Sequence, residues 1–293
     1  MNSVNAMQQL FNGHQLFDGR TIVIATMHEK EKVMAPPLKA VFNVKCVTIP
    51  NLNTDAFGTF CGEVERENTP LETVRLKAFK ALEWSNESLG IAIEGSFGPH
   101  PSNPFRSANE ELIILLDTKN NLEIVGRYLT LHTNFSHREI KNFRDLELFK
   151  KAIGYPEHGI ILKITDSNHK KTIQKDFKSS LDINTTVQNA LEAGQNVHAE
   201  TDMRAMRNPT RMLAIEQATV DLVKNMKSVC PECKAPGFMI QKVLRGLPCK
   251  LCQSPTTAIK ADVYGCKRCN YSLVKTREGE IFEDPAYCNF CNP

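Results

Sequence analysis

The 293-residue chain has no run of 18 apolar residues, so no membrane-spanning helix is expected. Its first twenty residues are polar and lack the apolar centre of a secretion signal, and a cytoplasmic location is the expectation. The chain carries no Gly-x-Ser-x-Gly elbow, no Walker phosphate loop and no His-Glu-x-x-His zinc-protease motif. His28, His100, His132, His137 and His198 show no metal-ligand spacing. Cysteine is nearly absent from the first 229 residues, where Cys46 and Cys61 stand alone. Cys61 has no basic neighbour in sequence to activate it as a nucleophile. Strong positive charge is also missing, since the formal net charge is only +3.

The other eight cysteines form four Cys-x-x-Cys pairs: Cys230/Cys233, Cys249/Cys252, Cys266/Cys269 and Cys288/Cys291. Each such turn presents two thiolates to one ion, and two turns fill a closed tetrahedral site. Two structural Zn²⁺ ions are therefore expected, replacing the hydrophobic core that so short a segment cannot build. Pairing of successive knuckles is the expectation, 230/233 with 249/252 and 266/269 with 288/291, with cross-braced or nested pairing as alternatives. Counting eight thiolates and two zinc ions brings the net charge from +3 to −1. A segment that clamps DNA phosphates should be clearly basic, and few aromatics beyond Tyr264, Tyr271 and Phe290 stand ready to stack on bases, so nucleic acid is not favoured as a partner.

Hydrophobic (41%) and charged (24%) contents are those of an ordinary globular protein. The reading along the chain is a tail over 1–19, an α/β domain over 20–198, an Arg-rich segment with a connecting helix over 199–228, and a zinc-ribbon region over 229–293. The fold class expected is an α/β or α+β layered domain with a mixed sheet, followed by a small double zinc ribbon. Strands are predicted over 21–25, 44–49, 89–93, 111–117, 122–131 and 159–165. Helices are predicted over 35–42, from 70 onward, over 138–152, over most of 170–193, and from 209. Thr69, Pro70 and Glu72 form a capping box at the second helix. Asn208 and Pro209 cap the last, whose stripe Met212, Ile215, Thr219, Leu222 and Met226 reads as core. A Pro-rich loop is expected over 98–104, and a functional loop over 51–68. The chain fixes no oligomeric state.

Three short motifs point to chemistry. The first strand runs into Thr26-Met-His-Glu-Lys30, the helix carries Glu72-Thr-Val-Arg-Leu-Lys77-Ala78, and a later strand delivers Glu94-Gly95. Their order and spacing resemble the inosine/xanthosine triphosphate pyrophosphatase superfamily over roughly residues 20–130. Met27 stands where that superfamily carries asparagine. The whole chain also resembles a bacterial family of unknown function with a Cys-rich C-terminus. The first resemblance implies a hydrolase that binds a nucleotide with Mg²⁺ or Mn²⁺ and releases pyrophosphate. Thr26, Lys30 and Lys77 would then meet phosphate, and Glu94 and Glu72, or Glu63, would hold the metal or activate water. The Met27 departure weighs toward ligand binding without turnover. Glu72 also has a plain role as a cap.

Arg204, Arg207 and Arg211 crowd a helix N-terminus, where the dipole disfavours cations. Either Glu200 and Asp202 compensate them, or they form a phosphate site with the free helix amides.

Overall fold

The computed structural model describes residues 15–50, 68–101, 103–279 and 281–293. Its main unit is a five-stranded mixed sheet in the order β2-β1-β3-β4-β5. The strands are β1 (Thr21–Ala25), β2 (Lys45–Thr48), β3 (Leu89–His100), β4 (Asn103–Asp117) and β5 (Leu122–Thr130). β1 runs parallel to both β2 and β3, whereas β3, β4 and β5 are antiparallel in turn. Two crossovers produce the parallel part. Helix α1 (Glu31–Phe42) links β1 to β2, and helix α2 (Pro70–Ser85) precedes β3 on the other side of β1.

Alternation along the strands builds two apolar layers. Ile22, Ile24, Leu89, Ile91, Ile93, Ile113 and Leu115 pack under α1 and the long helix α5 (Pro209–Lys227). Val23, Ala25, Ala92, Leu112, Ile114 and Leu116 pack under Val74, Ala78, Ala81 and Leu82 of α2. The capping box is formed as read: Thr69 Oγ1 accepts from the Glu72 amide, and Glu72 accepts from the Thr69 amide. Asn208 likewise accepts from the Arg211 amide at 2.9 Å. Ile215, Thr219, Leu222 and Met226 are buried and Met212 packs against the same core.

A second unit lies between β5 and α5 in the chain. Strands β6 (His137–Ile140), β7 (Ile160–Thr165), β8 (Lys171–Gln174) and β9 (Asn196–Thr201) form an antiparallel sheet ordered β6-β9-β7-β8. Helices α3 (Phe143–Ile153) and α4 (Ser180–Glu192) close its own core around Phe149, Leu162, Val187 and Val197. The unit is tied to α5 by Asn208, whose amide donates to Asn134 Oδ1 at 2.9 Å, and by stacking of Phe135 on Phe97 of β3.

Several expected elements differ. α1 begins four residues before the predicted start, so Pro36 and Pro37 sit inside it rather than at its first turn. The segments read as helix over 138–152 and 170–193 each begin with a strand, β6 and β8. Both strands are four residues long, too short for a period of two to stand out. β3 does not end at Ile93, and the Pro-rich segment is the outer part of the β3–β4 hairpin rather than a loop. Pro99 and Pro104 are tolerated because, among the described residues, no third strand pairs there.

Gly126 of β5 has no room for a side chain. A Cβ there would lie 2.5 Å from the Leu222 nitrogen and 2.7 Å from the Ala218 oxygen of α5. Because these are helix backbone atoms, they yield only if α5 shifts. Gly126→Ala is expected to lower the unfolding free energy by at least ~2 kcal/mol, read as a lower urea midpoint with an unchanged slope.

Candidate functional site

The C-terminal cysteines settle into two groups whose ligand atoms all lie within 4.8 Å of one another: Cys230, Cys233, Cys266 and Cys269, and Cys249, Cys252, Cys288 and Cys291. Successive pairing is thus incorrect, and the knuckles are cross-braced. The strands explain why. β10 (Met239–Arg245) and β11 (Ile259–Gly265) form an antiparallel ladder that sets Met239 opposite Gly265. The first knuckle, just before β10, therefore meets the third, just after β11. The second knuckle sits at the far end of the ladder, about 20 Å away at 3.3 Å per residue. β12 (Ser272–Thr276) carries the chain back along β11 to that end, where the Lys250 amide donates to the Glu283 carbonyl at 2.9 Å and the fourth knuckle closes the second group.

Sulfur separations of 3.6 Å (Cys230–Cys269), 3.5 Å (Cys233–Cys266), 3.9 Å (Cys249–Cys291) and 3.7 Å (Cys252–Cys288) are too long for disulfides. A tetrahedral ion with metal–sulfur bonds of about 2.3 Å sets its sulfurs about 3.8 Å apart. The groups are thus able to hold one metal ion each and are compatible with zinc. Hydrogen bonds from Ser254 lower the Cys252 thiol to about 6, and the Tyr271 amide lowers Cys269 to about 7. In the same groups burial raises the Cys230 and Cys233 thiols, and the hydrogen bond with Cys252 raises Cys291, so the crowded sulfurs share their protons unevenly.

The cysteine module is docked rather than tethered. Met239 enters the main core, and Gly237 lies against Ile124. Glu123 of β5 accepts from Arg75 of α2 twice at 2.7 Å and also from Lys267 of the third knuckle. The Arg75 hydrogen bonds, helped by those from Lys267, lower the Glu123 carboxyl from 4.5 to about 2.

A separate network of charge lies where β1 stops. The last β1 residue, Ala25, pairs with Ala92, while β3 runs on to His100. Glu94 and Gly95 thus lie past the C-terminal end of β1, in a sheet where the α1 crossover carries the chain from β1 to β2 and the α2 crossover carries it from β2 back across β1 to β3. Open α/β sheets place ligand sites at such points. Glu94 faces α2 and pairs with Lys77 at 2.5 Å, with both side chains buried. Glu111, opposite Gly95 on β4, faces α5 and accepts from Arg211 Nε at 2.8 Å. Arg211 also donates to the Met203 carbonyl and lies 5.2 Å from the Phe97 ring centre. Gly95 makes this possible, since a Cβ there would fall 2.5 Å from Arg211 Nη2 and 2.7 Å from Glu111 Oε1.

Lys30 completes the network from the β1–α1 turn. His28 and Glu29 just before it both have left-handed backbone, φ 65° and 63°. For residues other than glycine this costs on the order of 1–3 kcal/mol each. Lys30 is only 8% exposed, and among the described residues its amine has no hydrogen bond or ion pair. Burial, Arg211 and Lys77 lower it to about 7, against the opposing pull of Glu111 and Glu94. Thr26 is buried at the same turn, its hydroxyl donating to the Met27 carbonyl at 2.7 Å. On the same face of β4 as Glu111, Asn109 is 1% exposed with its Oδ1 unpartnered.

Lys30, Lys77, Glu94 and Arg211 are thus brought together and Thr26 lies buried at the turn before Lys30, while three other candidates are apart. Glu72 is taken up in its cap at the exposed start of α2. Arg204 is held by Asp202 and Asp176: burial opposes its charge, but the two carboxylates raise its pKa above the ordinary value. Arg207 shares Asp176, and Glu200 pairs with Lys163 instead. Glu63 and Cys61 lie outside the described residues. Glu111 and Asn109 were missed as site residues. The signal for Glu111 was its place two residues before Ile113 in a buried alternation, which puts an acid on an apolar face.

These features define a mixed α/β protein with a cross-braced tetracysteine module at its C-terminal end. Residues 77–293 match the family described as a domain of unknown function (DUF6671), and the chain belongs to that family. The matched segment takes in Lys77, Glu94, Glu111, Arg211 and all eight knuckle cysteines. No curated protein matches the chain. Among the described residues no helix is long and apolar enough to cross a membrane.

Two outcomes are expected. Replacing Cys230 with Cys269 by serine should remove one metal equivalent per chain in native mass spectrometry, and replacing Cys230 with Cys249 should remove both. Glu123 has a depressed folded pKa, so its stabilisation is present above about 4.5 and fades as pH falls from there toward 2. The stability gap between the native protein and Glu123→Gln, followed by acid titration, should close over that window.

Proposed function

We propose that the protein binds a small phosphate-bearing ligand beside the charged cluster past the end of β1, and that two structural zinc ions brace its C-terminal module. Four thiolates per closed tetrahedral site favour zinc and leave no position for catalytic water. The observation that carries the ligand reading is Lys30, a buried cation whose neighbouring carboxylates are already engaged by Lys77 and Arg211. A buried charge needs a counter-charge, and an anionic ligand supplies one. The Thr26–Lys30 motif, with its resemblance to nucleotide pyrophosphatases, makes a nucleotide the first class to test. Asn109 Oδ1 offers an acceptor for a hydroxyl or amino group of the same ligand.

Binding is favoured over Mg²⁺- or Mn²⁺-dependent hydrolysis, because Glu94 and Glu111 face cations and a divalent metal would have to displace them. Recognition of nucleic acid by the cysteine module is disfavoured by its charge, with nine Lys/Arg and six Asp/Glu set against two tetrathiolate sites over 229–293.

Calorimetric titration of the zinc-loaded protein with inorganic phosphate and a panel of nucleoside triphosphates tests the reading. Binding is expected, weakened at least ~10-fold in Lys30→Met, a loss of about 1.4 kcal/mol. Absence of binding to every member of the panel would overturn it. Phosphate and pyrophosphate release should stay at background with either metal. Metal-dependent release that is lost in a folded Glu94→Gln variant would replace the binder with a hydrolase.

A further inference from the structure

Where the cysteine module docks, a cavity of about 470 Å³ lies between it and the main unit. Small-molecule sites span roughly 300–1,000 Å³ and favour such boundaries between units. α2, β5 and α5 line one side, and β10, β11 and the third knuckle line the other. Phe238 and Met239 line it as buried residues, and Val125 lies half-buried beside them. The Phe238 ring forms a tilted pair with Tyr264, another lining residue, with ring centres 5.8 Å apart. Arg127, Lys224, Ile240 and Gln241 line it as exposed residues, so the cavity opens to solvent. None of Lys30, Lys77, Glu94, Glu111 or Arg211 lines it, and it is therefore separate from the cluster past the end of β1.

Charge and hydrogen bonding narrow what this space can take. Four cations line it, Arg75, Arg127, Lys224 and Lys267, against the carboxylates of Glu123 and Asp221. Glu123 serves both Arg75 and Lys267. Glu110, outside the cavity, pairs with Arg127 at 3.2 Å. Asp221 is spent on neutral donors, the Arg127 amide at 3.0 Å and the Asn225 side chain at 3.3 Å. Among the described residues Lys224 has no ion pair or hydrogen bond, and one cation is left in excess. The same contacts bear on a peptide occupant. β5 ends its sheet, and an added strand would need the outward amides and carbonyls of that edge. Asp221 already takes the Arg127 amide, and the Asn225 side chain donates to the Val125 carbonyl at 2.7 Å. The β5 wall is thus closed to a strand, and a compact molecule fits the space.

We propose that this cavity binds a small organic anion, a single acid group on a planar aromatic frame. The ring packs with Val125, Phe238 and Tyr264, where its apolar faces leave water. The acid group balances the excess cation among the exposed lining residues. The probe 1-naphthoate has both parts, 1-naphthamide lacks the charge and cyclohexanecarboxylate lacks the ring. Binding to the full-length, zinc-loaded protein is followed by ligand-observed NMR titration. 1-Naphthoate is expected to bind, and each control at least ~5-fold more weakly. Lys224→Glu reverses the excess charge and Gln241→Trp adds bulk beside the opening. Both positions are exposed, and circular dichroism checks that both variants fold. Each should weaken 1-naphthoate by at least ~5-fold, while Lys30→Met should bind it as the native protein does.

Absence of 1-naphthoate binding, or binding that neither cavity variant weakens, would overturn the proposal. Binding lost in Lys30→Met but kept in both cavity variants would also overturn it, and would assign the aromatic acid to the cluster past the end of β1. The phosphate reading of that cluster stands or falls separately, on its own titration.

Discussion

Arg211 is the residue on which the rest of the molecule turns. It is 2% exposed and fully charged, so its guanidinium must be satisfied from several sides at once. The sheet supplies Glu111, the segment after the second unit supplies the Met203 carbonyl, and the β3–β4 hairpin supplies the Phe97 ring. The Arg211 amide meanwhile donates to the Asn208 cap, which also reaches Asn134 at the entry to the second unit. One side chain thus links the start of α5, the seating of the inserted unit and the charged cluster past the end of β1. Gly95 is the condition for all of it, because any side chain there would occupy the space of the ion pair.

The C-terminal module obeys a different constraint. Its strands are mostly exposed, and its own apolar cluster is little more than Ala235, Phe238 and the tyrosines beside the first cysteine group. Antiparallel strand order dictates the cross-brace: a three-stranded meander returns the chain alternately to its two ends, so knuckles at alternate strand ends become neighbours. Metal at both ends would then clamp the meander at each limit of its length. Glu123 extends this rigidity inward, since it bonds to Lys267 in the third knuckle and to Arg75 on α2, two residues before Lys77. The module and the charged cluster at the end of β1 thus share helix α2.

Much of this was legible in the amino-acid sequence, for physical reasons that differ by element. The α2 capping box and the Asn208–Pro209 helix start are local devices, and local chemistry was enough to read them. The zinc-type knuckles declare themselves by spacing, but their pairing depends on strand direction, which the spacing does not carry. β6 and β8 were absorbed into helices because four residues leave no clear period, and the continuation of β3 was hidden by prolines that an unpaired hairpin end tolerates. Lys30, Lys77 and Glu94 were found through motif order. Glu111 was found only through register, because nothing near it in sequence says that it will lie opposite Gly95. The grouping of Arg204, Arg207 and Arg211 on the sequence divides in space, since a short 3₁₀ turn over Ala205–Arg207 sends the first two toward Asp176 and the third into the core.

Among the described residues, the buried Lys30 has no carboxylate of its own. Glu94 and Glu111 already have cationic partners, so a third cation among them adds desolvation cost and repulsion from Arg211 and Lys77. The turn that brings it there also holds two non-glycine residues in left-handed backbone. An apolar side chain of similar length at position 30 would avoid the first cost, and glycine at 28 or 29 the second. Neither relief is present. Where a chain breaks two local rules in neighbouring residues, the expectation is a site whose requirement lies in a ligand rather than in the fold. The Cys-rich region offers a useful contrast. There the left-handed Lys234, Gln253 and Asn270 just after three of the knuckles each close a local turn, their amides donating to the carbonyls of Cys230, Cys249 and Cys266.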